Sequence, residues 1–447
     1  MTTLTAVRPK ERSILNAHDN ELLTQTGQGT PMGGYLRRFW TPFLLSRELP
    51  GPDSAPMRVQ LMGEALVAFR DTDGRVGLVQ AACPHRRASL FWGRNEEGGL
   101  RCVYHGWKYD VTGACVDMPS EPEASNFKDK VKITAYPTID RGGVIWAYLG
   151  PRDEAPELPE FPWLDLPDAY RYVTKRIETT NWVQALEGGI DSAHSNFLHA
   201  RLDAYRGEPA WLERAKNATD IRTRYHALDR APKFFSTYTD YGMRIGARRE
   251  AGEDGHYWRF THWLAPFYNV FRAPTEQPGV NGHGFAWVPI DDDHCWTITF
   301  TWNHLRPLEE RDLRAAEEFA GPTIPGTYFP ARNASNDYLI DREHQRDVTF
   351  TGIAGVQAQD MAVQESMGSI VDRTMEHLGT SDAAIILLRR GLLSGAMEAA
   401  GGEGPYAASH GAAYRTKATE FVVARNQDLD DGAQRAACAV EPRRNPA

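Results

Sequence analysis

The sequence predicts an α+β protein: a small antiparallel β domain followed by a larger domain in which helices are segregated from an antiparallel sheet. Three observations carry this. Between Met57 and Leu149 the apolar residues fall in short β-type runs, such as Met57 to Met62 and Ala65 to Arg70, with Asp71-Thr72-Asp73-Gly74 as the turn between them. Pro151, Pro156, Pro159, Pro162 and Pro167 then disfavour both helix and central strand. Beyond them, 177–205 and 356–400 carry a helical period, while 233–304 holds long runs rich in Trp, Tyr and Phe.

These shifts divide the chain. Residues 1–34 form a lead-in with a helix near Asp19 to Thr26 and a Gly-rich stretch from Gly27 to Gly34. The β domain covers 35–150, a Pro-rich linker 151–168, the α+β domain 169–425, and a polar tail 426–447. A chain of 447 residues can bury a substantial core. Its 50 Lys and Arg against 59 Asp and Glu leave a net charge of −9, which argues against nucleic acid as a partner. Five cysteines, at 83, 102, 115, 295 and 438, are too sparse for a disulfide framework, so reduced thiols in a cytoplasm are expected. Met1 to Ser13 contains no apolar leader, and the longest apolar run, Ala383 to Leu388, is too short to span a bilayer, so no membrane association is expected.

Two constellations carry chemistry. The first is Cys83-Pro84-His85 and, sixteen residues on, Cys102-Val103-Tyr104-His105-Gly106-Trp107. Two thiolates and two imidazoles suit structural zinc or an iron–sulfur cluster with histidines on one iron. Zinc fingers usually pair Cys with Cys and His with His along the chain. Here each half gives one of each, the arrangement of a Rieske 2Fe-2S centre. The gaps fit two hairpin loops closing over a cluster, with Gly106 letting backbone approach the sulfurs.

The second constellation is Asp191, His194 and His199 in the segment that begins Asn181-Trp182. His199 is five residues beyond His194, about 140° round a regular helix, so the helix must distort or end for both imidazoles to reach one ion. Two His and one carboxylate with open positions is the facial triad that binds ferrous iron and leaves room for dioxygen. Alone, His-x4-His equally describes a satisfied structural pair. Beside an electron-transfer cluster, an acceptor site is the stronger reading.

Together these motifs resemble the oxygenase α-subunit of the Rieske non-haem iron ring-hydroxylating oxygenases, over about residues 30 to 400. The resemblance implies a Rieske β domain followed by a catalytic domain of helix-grip, START-like type. It implies a 2Fe-2S cluster on Cys83, His85, Cys102 and His105, and mononuclear Fe(II) on His194, His199 and a later carboxylate. Asp360 occupies that place, with Glu365 and Asp372 as further candidates; a helix N-terminal carboxylate is the plain structural alternative for Asp360. Asp191 would not ligate. Its counterpart bridges, between subunits, the second cluster histidine and an iron-ligating histidine, here His105 and His194. A bridge of this kind implies a head-to-tail homotrimer, or two stacked as a homohexamer.

The segment from Gln359 to Asp382 is similar to the phthalate 4,5-dioxygenase and chlorobenzoate dioxygenase branch, whose oxygenases draw electrons from an NAD(P)H-dependent reductase with FMN and a 2Fe-2S ferredoxin domain. That implies a bacterial cytoplasmic enzyme that cis-dihydroxylates an aromatic carboxylate with O2. Several relatives carry Asn three residues before the bridging Asp, where this chain has Gly188. No Gly-x-Gly-x-x-Gly dinucleotide fingerprint is present, so the reductase is separate.

Substrate selection is expected from the strand Phe234 to Arg248. Its alternation puts Tyr238, Asp240, Gly242, Arg244, Gly246 and Arg248 on one face. Arg244 between two glycines is the candidate carboxylate anchor, with Arg201 or Arg206 as a second cation; an arginine paired with an acid or facing solvent is the bland alternative. Trp258, Phe260, His262, Trp287, Trp296 and Trp302 are read as mostly core, with one or two free to stack on a substrate ring. Two other functions remain open from sequence: a Rieske O-demethylase or other monooxygenase of an aromatic acid, and a Rieske electron carrier fused to a ligand-binding module.

Overall fold

A computed structural model describes residues 15–439, except 123, 219, 227, 276–279 and 428. Both domains are built as the hydrophobic pattern requires, and they share one core.

In the first domain, three small antiparallel sheets pack together. Trp40–Leu45, Val144–Tyr148 and Thr138–Arg141 form one; Met57–Leu61, Glu64–Arg70, Val76–Gln80 and Ala135–Tyr136 the second; Arg94–Glu96, Gly99–Arg101, Lys108–Tyr109 and Cys115–Asp117 the third. The segments carrying Cys83-His85 and Cys102-His105 leave the second and third sheets and lie over a separate small core that includes Val67, Phe69, Leu90, Leu100 and Tyr109.

The second domain is an eight-stranded antiparallel sheet. Its path runs Arg171–Glu178, Cys295–Trp302, Gly282–Pro289, Tyr268–Arg272, His256–Leu264, Gly242–Glu250 and Lys233–Thr239, with Thr419–Val423 added beside the first half of His256–Leu264. One face carries the Trp182–Ile190 and Ala383–Ala400 helices. Gly189 is needed there because a Cβ would sit 1.9 Å from the Trp287 ring. The other face is covered by the Asp431–Cys438 helix over Trp258, Phe260 and Val423.

Several sequence expectations change. The Pro-rich linker is packed into the protein, with Phe161, Trp163 and Leu164 buried. Phe161 stacks on Trp146 of the first domain at 5.5 Å, and Trp163 on Phe300 of the large sheet at 4.5 Å. Proline forbids regular structure but not burial. The polar tail contains the Asp431–Cys438 helix, with Cys438 buried. The stretch 177–205 is not one helix: it starts in the Arg171–Glu178 strand and contains the Trp182–Ile190 helix, the His194–Asn196 turn and the Leu202–Arg206 helix. All five cysteines are unpaired and buried. No helix among the described residues is long and apolar enough to cross a membrane.

Asn181 decides where the helix leading to the site begins. Its side-chain oxygen accepts the Val183 N–H, while its amide nitrogen donates to Thr24 O at 3.0 Å and Asp292 O at 2.7 Å. Glu187, on the same helix, is buried between Arg373 and Arg389. Burial pushes its carboxyl up, but the two guanidinium groups hold it below its ordinary range.

Two measurements follow. Asn181→Ala removes a cap and leaves two buried carbonyls unpaired, so the free energy of unfolding falls by about 2–4 kcal/mol, read as a lower denaturant midpoint. Because the folded Glu187 carboxyl is depressed, its stabilisation is complete above the unfolded value of about 4.3 and is lost as pH falls through the lower folded value. Glu187→Gln is therefore less stable than wild type at neutral pH, and the gap in melting temperature closes on acidification below about pH 4.

Candidate functional site

The two halves of the cluster motif fold into the same loop. Cys83 donates its N–H to Ala88 O at 2.8 Å and receives the Arg87 N–H at 2.9 Å; Cys102 donates to Trp107 O at 2.8 Å and receives the Gly106 N–H at 3.0 Å. Each loop closes through a left-handed residue, Arg87 at φ 62° and Gly106 at φ 79°. A Cβ on Gly106 would also lie 2.7 Å from the Pro119 ring, so the glycine serves the loop closure and this close contact.

The result is a pair of thiols beside a pair of imidazoles. The His85 and His105 rings lie 4.4 Å apart, and His85 stacks on Trp107. His105 Nδ1 is buried with no hydrogen-bond partner among the described residues. Burial and the adjacent Cys83 push the Cys102 thiol up, so two neighbouring thiolates need a cationic centre between them. The donor set therefore fits a 2Fe-2S cluster.

In the second domain the helix ends at Ile190, and Asp191 holds the turn that follows. Its carboxylate accepts the Ala193 N–H at 2.6 Å, the His194 N–H at 3.1 Å and the His194 ring Nδ1–H at 3.3 Å. These bonds keep the carboxyl below its ordinary range although burial opposes them. A short turn, His194–Asn196, then swings His199 round. The chain beyond is zipped to 348–350: Phe350 donates to Ala200 O and Leu202 to Val348 O, both at 2.9 Å. That strip leads into the Val356–Ser366 helix, which carries Asp360.

His194 Nε2 and His199 Nε2 lie 3.2 Å apart, and Asp360 Oδ1 lies 3.6 and 3.2 Å from them. Ligands about 2.1 Å from an ion and at right angles stand about 3 Å apart, so these three atoms match one face of an octahedron. Each ring's other nitrogen is already engaged, His194 Nδ1 by Asp191 and His199 Nδ1 by Gln359 at 2.7 Å. The three atoms could hold a metal ion, and they form the one such group of His, Cys, Asp and Glu found among the described residues. Glu365 and Asp372 are elsewhere: Glu365 accepts the Thr179 N–H and the Tyr338 hydroxyl, and Asp372 caps a turn at Thr374.

The triad lies in the wall of a cavity of about 560 Å³. Phe271, Phe285 and Phe319 form an aromatic wall, with Phe271 and Phe285 stacked at 5.2 Å. Arg222, Arg259 and Arg272 also line it. Burial and the nearby Arg222 push Arg259 down to about 9 and lower Arg272 as well, while Glu420 offsets part of the repulsion. The Nε atoms of Arg259 and Arg272 are buried with no hydrogen-bond partner among the described residues.

Arg244 does not belong to this cavity. The expected single strand from Phe234 to Arg248 is a hairpin, Lys233–Thr239 and Gly242–Glu250, in which Thr237 pairs with Arg244 and Tyr238 with Met243. The turn reverses the alternation, so Tyr238 and Arg244 are on opposite faces. Arg244 pairs with His262, whereas the cavity takes Arg259 and Thr261 from that neighbouring strand. Arg244 faces the outer side, where Cys438 feels its charge. The space at Gly246 is taken by the Phe260 ring, 2.7 Å from where a Cβ would be. Of the six aromatic and histidine candidates on the later strands, Trp287 alone lines the cavity. Arg201 lines it but pairs with Asp203, and Arg206 is not among its lining residues.

Sequence reading missed Arg249. From the sheet it donates to Ser192 O at 2.9 Å and Asn196 Oδ1 at 3.0 Å, anchoring the turn between the two site histidines. It also missed Arg222, Arg259 and Arg272, whose convergence depends on register and has no local signal. At Gly188 the missing side chain is replaced from outside: Gln364 Nε2 lies 2.1 Å from where a Cβ would be.

Comparison with known proteins agrees with this geometry. Residues 39–137 match the Rieske [2Fe-2S] domain family, and 147–436 the family described as LigXa C-terminal domain like. The chain is 40% identical over 389 residues to the 3-chlorobenzoate-3,4-dioxygenase oxygenase subunit of Comamonas testosteroni, covering 84% of this chain and 87% of that one. It is 41% identical over 387 residues to the phthalate 4,5-dioxygenase oxygenase subunit of Pseudomonas putida, covering 85% and 86%. A 5,5'-dehydrodivanillate O-demethylase oxygenase subunit from Sphingobium is 32% identical over 400 residues, covering 88% and 83%. Among solved structures, dicamba monooxygenase shares the fold with a TM-score of 0.56 at 18% identity, over 82% of this chain and 98% of that one. Cluster loops, a two-histidine, one-carboxylate site and sequence identity over most of the chain thus place it in one family: it is an oxygenase subunit of the Rieske non-haem iron ring-hydroxylating oxygenases.

Proposed function

We propose that this subunit cis-dihydroxylates an aromatic carboxylate of the phthalate or chlorobenzoate type. The observation that carries the reading is the cavity itself, which sets an aromatic wall, the buried Arg259 and the half-buried Arg222 and Arg272 beside the His194, His199 and Asp360 cluster. Burial and the nearby Arg222 disfavour the charge of Arg259 and Arg272, so these two guanidinium groups gain most from an anion, and a planar carboxylate matches their fork. The named activities of the two dioxygenase relatives, both on aromatic acids, support the same substrate class.

Cys83, His85, Cys102 and His105 would hold the 2Fe-2S cluster, and His194, His199 and Asp360 the ferrous ion. The cluster supplies single electrons, and the ion supplies open positions for dioxygen. The protein's own contribution is placement. Arg259 and Arg272 fix the carboxylate, and Phe271 and Phe285 hold the ring plane. Asp191 stays about a quarter exposed while it holds His194, which leaves it open to His105 of a second copy. The assembly is a homotrimer or stacked homohexamer, and the electrons come from an NAD(P)H-dependent reductase with FMN and a 2Fe-2S ferredoxin domain.

Single turnover of the reduced, iron-loaded protein under labelled dioxygen, with phthalate, 3-chlorobenzoate and a methoxybenzoate, tests the reaction. A cis-diol carrying two labelled atoms is expected; formaldehyde and a phenol would instead establish the demethylase. Arg259→Leu loses about 1.5–3 kcal/mol of charged hydrogen bonding, so KM for the acid rises roughly tenfold to hundredfold with kcat less affected, while Arg244→Ala leaves KM unchanged. Asp191→Ala lowers turnover about 10–100-fold with the cluster spectrum intact.

A further inference from the structure

The two site histidines are backed by different chemistry. His194 Nδ1 faces the Asp191 carboxylate, but His199 Nδ1 faces the side-chain amide of Gln359, the residue next to Asp360. Gln359 is buried, and both ends of its amide are engaged. Its Nε2 donates to Ile353 O at 2.7 Å, which turns Oε1 toward His199. An amide oxygen only accepts, so His199 Nδ1 must carry the hydrogen. The Nε2 lone pair is then left facing His194 Nε2 and Asp360 Oδ1. Ile353 lies in the segment after the strip that is zipped to Ala200 and Leu202, so the backbone of His199 and the partner of its ring belong to one hydrogen-bonded unit.

Resting on the iron site proposed above, we infer that Gln359 is the positioning residue that fixes the His199 tautomer and keeps that imidazole the weaker donor of the pair. A carboxylate behind a ligating histidine raises its basicity; a neutral amide orients the ring without doing so. The charges give the reason for an amide. Asp191 and Asp360 contribute two negative charges, which balance a divalent ion, and a carboxylate at 359 would add a third and favour the trivalent state.

The test is anaerobic Fe(II) titration of apo-protein against a competing chelator, with cluster absorbance and melting temperature as controls. Wild type is expected to bind one ferrous ion beyond the cluster iron, and His199→Ala to bind none. Gln359→Leu should bind 10–100-fold more weakly with the cluster absorbance unchanged, and its melting temperature, lowered by the unpaired Ile353 carbonyl, should match that of Gln359→Leu without iron. Gln359→Glu should recover the affinity and lower the midpoint potential of the mononuclear iron. If wild type takes up no such ion, the iron-site reading itself fails. If wild type binds and Gln359→Leu binds equally well, the role of Gln359 is overturned. Equal weakening in Gln359→Leu and Gln359→Glu, with no shift in potential, would also overturn it by showing that only packing matters.

Discussion

The hold of the Asp191 carboxylate on the turn after Ile190 is the interaction on which the catalytic half depends. Without the hydrogen bonds to Ala193 N–H, His194 N–H and the His194 ring, the chain would have no reason to leave the helix there. On a continuing helix His194 and His199 would point about 140° apart. The turn makes the metal-site geometry possible, and the rest of the domain fixes where the turn sits. Asn181 sets the start of the helix, Glu187 clamps it to Arg373 and Arg389, and Arg249 holds Ser192 and Asn196 from the sheet below.

Holding so much polar machinery inside the protein has a cost that the fold meets with partners on each side. Glu187 has two cations, and Lys175 has Glu48 at 2.7 Å with the Trp296 and Tyr328 rings beside it. Arg259 and Arg272 of the cavity are the exception. Burial and the nearby Arg222 disfavour their charge, and their Nε atoms have no partner among the described residues. Strain of this kind is characteristic of binding sites, because an incoming anion relieves it. The cluster loops follow the same logic: two adjacent thiols and an unpaired imidazole nitrogen make sense only around a cationic centre.

The shared core couples the two halves. Trp146 of the first domain, Phe161 and Trp163 of the Pro-rich segment, and Phe300 of the large sheet stack in sequence. The cluster domain and the catalytic sheet are therefore set in a fixed relation by aromatic packing.

The sequence by itself determined the fold class, the paired Cys and His of the cluster motif, the two site histidines, and that a helix had to distort or end between those histidines. Each of these rests on short-range spacing: Cys-x-His and Cys-x-x-His fit one loop apiece, and a five-residue gap between histidines cannot be helical. Asp360 was legible only through resemblance, since nothing local ties residue 360 to residue 194. The tertiary structure decided which arginines face the cavity. A hairpin turn at Asp240 and Tyr241 reverses the alternation that a single strand would have, and one residue of register moves Arg244 to the outer face while Arg259 enters the cavity. Long-range pairing likewise set Gln359 behind His199 and buried the proline-rich stretch. Local pattern fixes what a segment can be, but the face it turns to its neighbours depends on hydrogen bonds to strands far away in the chain.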